Sequence, residues 1–224
     1  MLPYHIPCSM IEEKNGNENL KKRKGAPDVA KLLYQGHASV RIASDDGTVI
    51  YIDPYVGEGY ELPADLILVT HEHTDHNKVS LVPQKQGTRV IRAPEALRGG
   101  NYASFQIGGV KVEAVEAYNR NHKKEECVGY LLTVDGVKLY HAGDTSETGR
   151  MKELASRALD WALLPVDGVY NMDAGDASRC AVLIGAKHSV PIHMAPGRLF
   201  DAKTAGAFQC PGRVIMKPGE TLVL

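Results

Sequence analysis

The run Asp65-Leu66-Ile67-Leu68-Val69 passes without a break into Thr70-His71-Glu72-His73-Thr74-Asp75-His76, and this junction constrains the chain more than any other feature. The first half is short, branched and apolar, which reads as a buried β-strand. The second half packs three imidazoles and two carboxylates into six consecutive residues. Burying such groups without partners costs free energy, so no packing requirement explains them. A strand end is a rigid mount, and a rigid mount is what a metal site requires. The alternate spacing of His71 and His73 can bring both rings to one side, while Asp75 and His76 reach a neighbouring position. A solvated polar loop with chance histidines is the plain alternative, and the density of ligand types weighs against it.

Two further strand-like runs end in a metal-ligand type. Lys138-Leu139-Tyr140 leads into His141-Ala142-Gly143-Asp144, where the glycine allows a sharp turn and Asp144 stands at the strand end. Ser189-Val190-Pro191-Ile192 ends in His193. A lone Gly-Asp is a common turn and a lone histidine is usually structural. Their repetition at strand ends, in order after the histidine-rich loop, favours one convergent site. There is no Gly-x-Ser-x-Gly elbow, no Gly-x-x-x-x-Gly-Lys loop and no Gly-x-Gly-x-x-Gly after a strand, so no serine nucleophile or nucleotide cradle competes.

The chain of 224 residues suffices for one domain with a large core. Residues 1–25 differ in composition: they are polar, turn-rich and end in the basic run Lys21-Lys22-Arg23-Lys24, which reads as a solvated, poorly ordered tail. Residues 26–224 then form the globular domain, with 21 basic against 24 acidic residues. That mild negative balance makes nucleic acid an unlikely partner. No apolar run approaches the roughly 18 residues of a membrane span. The first residues lack the charged and apolar regions of a secretory signal. Four scattered cysteines (Cys8, Cys127, Cys180, Cys210) give no disulfide framework and suit a reducing cytoplasm, the expected location.

Periodicity predicts strands at 31–34, 39–43 and 48–52, the last two joined by a turn at Asp45-Asp46-Gly47, then at 66–69 and 89–91. It predicts helices at 79–86, from Pro94 to Arg98, at 147–159 and at 174–184. Further strands are expected at 110–117, 129–134 and 137–140, with a hairpin at Asp135-Gly136, then at 161–165 and 189–192. Two successive sets of strands followed by helices suggest an α+β protein of two sheets flanked by helices.

The motif His-x-His-x-Asp-His after an apolar strand resembles the metal-binding motif of the metallo-β-lactamase superfamily. The resemblance extends over roughly residues 31–224 and is greatest to the small UPF-type metal-dependent hydrolases, near the L-ascorbate 6-phosphate lactonase branch. It implies a four-layer αββα sandwich and a dinuclear centre. His71 and His73 would hold the first metal and Asp75, His76 and His193 the second, with Asp144 bridging them. Asp75 would also act in catalysis, orienting a metal-bound hydroxide or transferring a proton. Most members have a histidine just after the strand matching 110–117; here the nearest is His122, a few positions late. Either His122 loops back to complete the first metal, or that metal has only His71, His73 and Asp144 with water; the former is the expectation. Gly36-His37-Ala38-Ser39 and Ile52-Asp53-Pro54 resemble elements that pack beside the metal loop. His37 would line the pocket or serve structure, Asp53 would orient a ligand imidazole, and Tyr170 would shape the substrate pocket.

The expected activity is hydrolysis of a small ester, lactone or phosphodiester by a metal-bound hydroxide, with two divalent ions, zinc first and manganese or iron as alternatives. A nuclease, an iron-binding redox protein of the same fold and a non-catalytic metal-binding protein are the other readings. The partner is a small-molecule substrate, with no membrane; sequence leaves its identity and the oligomeric state open.

Overall fold

The computed structural model describes residues 29–224; the tail expected at 1–25 lies outside them. Two six-stranded sheets face each other. The first contains β1 (Lys31–Gly36), β2 (Ser39–Ala43), β3 (Val49–Ile52), β4 (Ala64–Val69), β5 (Gln84–Arg92) and, at its far edge, β14 (Thr221–Val223), in the order β14-β1-β2-β3-β4-β5. Between β5 and the second sheet come a single helical turn, α1 (Ala93–Ala96), and the small hairpin β6 (Leu97–Arg98) and β7 (Asn101–Tyr102).

The second sheet contains β8 (Ser104–Ile107), β9 (Val110–Glu116), β10 (Val128–Val134), β11 (Val137–His141), β12 (Trp161–Pro165) and β13 (His188–Ile192), paired in chain order. Helices α2 (Met151–Leu154), α3 (Ala174–Ile184) and α4 (Ala202–Ala207) pack together on its outside, with α3 against β12. The two sheets repeat one pattern: three antiparallel pairings followed by two parallel ones. The halves are thus pseudo-equivalent, with β1 matching β9, β2 matching β10 and β3 matching β11.

The core lies between the sheets. Leu32, Tyr34, Val40, Ile42, Ile50, Ile52, Leu66 and Leu68 are buried with Val112, Tyr130, Leu132 and Leu139 in one cluster. Tyr130 also donates its hydroxyl to the Val69 carbonyl at 3.0 Å, tying β10 to the end of β4. Outside the first sheet, Tyr51, Ile67 and Val82 form a second cluster with Tyr60 and Val79. This outer layer is a loop and one 3₁₀ turn rather than long helices. The α+β sandwich expected from sequence, two sheets face to face in the αββα manner, is the fold, with the helical layer over the first sheet reduced to that turn.

Three helix expectations change. In 79–86 only Val79–Leu81 turns, as 3₁₀ helix, and Val82 is extended, because a residue before proline (Pro83) is driven out of the helical region. Residues 84–92 instead form the long edge strand β5. The helix expected from Pro94 to Arg98 stops after one turn, since Gly99-Gly100, both at positive φ, make the two-residue turn of the β6–β7 hairpin. The long helix expected at 147–159 is α2 plus a 3₁₀ turn at Ala155–Arg157; no side chain caps its start, and Ala158 at φ +51° ends it. Helix α3 matches its expected span, capped by the Asp173 carboxylate on the Asp176 amide and stopped by Gly185. It buries Ala177, Cys180, Ala181 and Ile184, the i, i+3, i+4, i+7 face. Strands β8 and β14 and helix α4 were not anticipated.

Candidate metal centre

The strand ends of both sheets meet in one cleft. The loop after β4 supplies His71, His73, Asp75 and His76; the connection from β9 to β10 supplies His122; the turn after β11 supplies Asp144; and His193 follows β13. One potential ligand group is His71, His73 and His122, a second is His37, Asp75, His76 and His193, and a third, His71, His76 and Asp144, joins them; within each group the ligand atoms lie within 4.8 Å of one another. All seven residues expected as ligands therefore converge, His122 included. His37, expected only to line the pocket or serve structure, stands within the second group.

The pseudo-equivalence of the halves accounts for this. His37 sits in the β1–β2 turn and His122 in the matching β9–β10 connection, so each half presents a histidine from the same topological position to one group. The lateness of His122 is local: Asn119 and His122 pair as an isolated β-bridge, which folds the connection back on itself.

Five of the six clustered rings have a polar neighbour at the outer nitrogen. His76 Nδ1 is 2.8 Å from Asp53 Oδ2. Asp53, wholly buried, also accepts from the Thr70 amide at 2.8 Å and the Thr70 hydroxyl at 2.7 Å. The Thr70 oxygen in turn lies 3.1 Å from His71 Nδ1. His193 Nδ1 is 2.8 Å from Asp167 Oδ2, His122 Nδ1 is 2.8 Å from Asn119 Oδ1, and His37 Nδ1 is 3.0 Å from the Arg198 carbonyl. An acceptor at Nδ1 holds a proton there, so a ring in its neutral form turns its Nε2 lone pair inward.

Inside, ring nitrogens face carboxylates and one another. His76 Nε2 is 3.3 Å from Asp144 Oδ1, and His193 Nε2 is 3.4 Å from Asp144 Oδ2. His37 Nε2 is 3.2 Å from Asp75 Oδ2, and His122 Nε2 is 3.0 Å from His73 Nδ1. His71 Nε2, His76 Nε2 and Asp144 Oδ1 are buried with no hydrogen-bond partner. Buried nitrogen and oxygen atoms that converge without partners fit divalent metals, which would take the place of the proton that His76 otherwise holds.

The electrostatics agree. Burial, aided by neighbouring His76, pushes His71 down to about 3, and burial also lowers His122; both rings are neutral at physiological pH, as ligation demands. Burial opposes charge on His76, but Asp144 and Asp53 outweigh it and raise the group to about 9. Burial likewise opposes ionisation of Asp144, yet His76 and His193 hold its carboxyl well below the usual range. The negative field that retains a proton on His76 is the field that would retain a cation.

Backbone strain collects here as well. Of five non-glycine residues at positive φ among those described, three are His37 (+57°), Asp53 (+49°) and His193 (+46°). The His193 amide donates to the His37 carbonyl at 2.7 Å, coupling two of them. Gly143 at φ +62° lets the β11 turn pass the metal loop: a Cβ there would lie 2.9 Å from Thr70 Cβ.

A cavity of about 430 Å³ opens over this cluster, lined by Thr74, Asp75, Asp144, His193 and Tyr170 among others. Tyr170 is half exposed at the wall of this cavity. Sequence reasoning missed Asp167, Asn119 and Thr70 as partners of ligand rings. Asp167 was findable, since it follows the end of β12 as Asp53 follows β3. A separate cavity of about 340 Å³ outside the second sheet, against α2, does not reach the histidines, and its charges are paired as Arg150–Glu153, Arg157–Glu113 and Lys124–Glu116.

The profile of the β-lactamase superfamily domain matches residues 31–193. The chain belongs to that superfamily. Within it the chain groups with the UPF0173 metal-dependent hydrolases. One from Alkaliphilus metalliredigens (strain QYMF) is 33% identical over 189 residues, 73% of this chain and 84% of that protein. Another, from Thermococcus onnurineus (strain NA1), is 29% identical over 227 residues, 88% of this chain and all of that protein. Among solved structures, the metallo hydrolase Igni18 from the hyperthermophilic archaeon Ignicoccus hospitalis superposes with a TM-score of 0.68 at 25% identity, covering 88% of this chain and 98% of that one. The superfamily match spans every candidate ligand from His37 to His193. Among the described residues no helix is long and apolar enough to cross a membrane.

Proposed function

We propose that this protein is a dinuclear metal-dependent hydrolase of small esters, lactones or phosphodiesters. The observation behind the reading is the convergence of His71, His73, His122, His76, His193 and Asp144 in groups whose ligand atoms lie within 4.8 Å of one another, with His71 Nε2, His76 Nε2 and Asp144 Oδ1 buried without a hydrogen-bond partner. Two divalent cations there would lower the pKa of water toward about 7 and polarise the scissile carbonyl or phosphoryl group.

The chain's own residues divide the remaining work. His71, His73 and His122 would hold one cation, Asp75, His76 and His193 the other, and Asp144 would be shared. Asp75 is half-buried at the floor of the cavity, and burial of its carboxyl is outweighed by His37 and His76, which keep it ionised. An ionised carboxylate at that place can orient a water and accept its proton. His37 lies against Asp75 and also suits direct ligation of the second cation. Asp53, Asp167 and Asn119 hold the ligand rings in one tautomer, so little reorganisation accompanies cation binding. Tyr170 and Asn121 at the cavity wall are placed to orient substrate. The donor set of imidazole and carboxylate suits zinc first, then manganese or iron.

The test combines metal analysis with turnover. Protein loaded with zinc should hold two ions per chain and hydrolyse p-nitrophenyl esters. His73→Ala should lose metal and activity together; unchanged activity in that variant would rule the reading out.

A further inference from the structure

A second cavity adjoins the histidine trio on the side away from Asp75. Of about 350 Å³, it is lined by Pro94, Leu97 and Cys127 together with Glu72, His73, Asn121 and His122. Those last four also line the cavity over Asp144, so the two spaces form one groove crossing His73 and His122. The volume falls within the range of small-molecule sites, roughly 300–1,000 Å³.

We propose that this lobe receives the apolar acyl or ring portion of an uncharged ester or lactone substrate, which makes carboxylic esters rather than phosphodiesters the substrate class. The proposal rests on the hydrolase reading. Three observations support it. First, Leu97 and Cys127 are buried side chains that belong to the floor of the lobe, and Pro94 is an exposed apolar wall. Second, burial pushes the Cys127 thiol up to about 12, so it lies there as a small neutral group rather than a thiolate. Third, neither space is lined by lysine or arginine. The nearby cations are engaged by the groove's own carboxylates: Arg92 holds Glu72 at 2.8 and 2.9 Å, and Lys123 holds Glu126 at 3.0 Å. Beyond the two metal ions, a phosphodiester would find no side-chain cation to hold its charge, in a groove that also presents Glu125.

Hydroxamic acids test the lobe apart from turnover, because they bind metal without being hydrolysed. Each methylene that leaves water should strengthen binding about fourfold. Calorimetry on the zinc-loaded protein should show hexanohydroxamate at least ~10-fold tighter than acetohydroxamate, short of full burial of every methylene. Leu97→Trp should erase that gain, and Pro94→Trp, at an exposed position, gives the same readout if the first variant does not fold. In parallel, p-nitrophenyl hexanoate should be cleaved with a lower KM than the acetate and faster than bis(p-nitrophenyl) phosphate. Equal affinity for the two hydroxamates overturns the lobe, even if esters are hydrolysed. Faster turnover of the phosphodiester overturns the substrate class. A chain-length gain in binding, lost in Leu97→Trp, without any ester hydrolysis would leave the lobe standing and remove the hydrolase reading.

Discussion

Asp53→Asn isolates the part that the supporting residues play. Asp53 accepts three hydrogen bonds, from the Thr70 amide, the Thr70 hydroxyl and His76 Nδ1, all between 2.7 and 2.8 Å. Asparagine has the same shape and tolerates the left-handed backbone at φ +49°, so the turn after β3 should keep its course. Its oxygen can still accept from the Thr70 amide. Its NH₂, however, can only donate toward His76 Nδ1, which places the imidazole proton on Nε2, the atom that faces Asp144. The substitution therefore selects the tautomer that cannot ligate.

Removing such a partner of a metal-bound histidine typically costs 10–100-fold in affinity, or about 1.4–2.7 kcal/mol at 1.36 kcal/mol per decade. The metal-free protein should weaken as well. A buried pair that loses one charge costs about 3–5 kcal/mol, and the retained amide bond puts the expectation near the lower figure. Zinc titration against a competing chelator at neutral pH, with urea denaturation of the metal-free protein, measures both quantities. A folded Asp53→Asn variant with wild-type zinc affinity would refute the argument that the carboxylate fixes the ring.

Other substitutions probe other segments. His122→Ala should reduce bound zinc from two ions per chain to one, read by metal analysis after dialysis; full occupancy would leave His122 as an ordinary loop residue. Gly143→Ala forces a Cβ to within 3.0 Å of Thr70 and the Val128 carbonyl at a positive φ. With about 1–2 kcal/mol for the backbone alone, it should lower the denaturation midpoint and weaken metal binding together, and a neutral effect would mean the turn is free to move. Asp160 accepts from the Lys138 amide and pairs with Lys187; burial opposes its ionisation, but these contacts outweigh it and lower its pKa below the ordinary 3.8. A depressed carboxyl stabilises the fold above its unfolded pKa and ceases to do so as pH falls through the folded value. Asp160→Asn should therefore be less stable than wild type at pH 7, by no more than about 1 kcal/mol for so exposed a pair. The gap should close below pH 3.8; a gap that persists in acid would show that charge is not its origin.

Much of the architecture was readable because local physics decides it. The apolar run before His71 is a strand in any context, and the Asp135-Gly136 turn, at φ +51° and +81°, determines its own hairpin. Helix α3 announces both its cap and its stop. The helices that failed had periodicity without termini: Pro83, Gly99-Gly100 and an uncapped start at Arg150 shortened each one. Strand β14 could not be read, since three residues become a strand only by pairing with β1 at Lys31–Leu33, nearly two hundred positions away.

At the candidate metal centre the same division holds. Sequence alone determined the candidate ligand types, their placement at strand ends and the family resemblance, because those depend on residue identity and short spacing. Tertiary structure alone decided that His122 folds back to meet His73, that His37 joins Asp75 and His193, and that Asp167 braces a ring. Each of those contacts closes a loop of dozens of residues or more, and two packed sheets hold the ends together. Distances of 2.8 to 3.4 Å across such separations follow from packing, which a local reading of the chain does not contain.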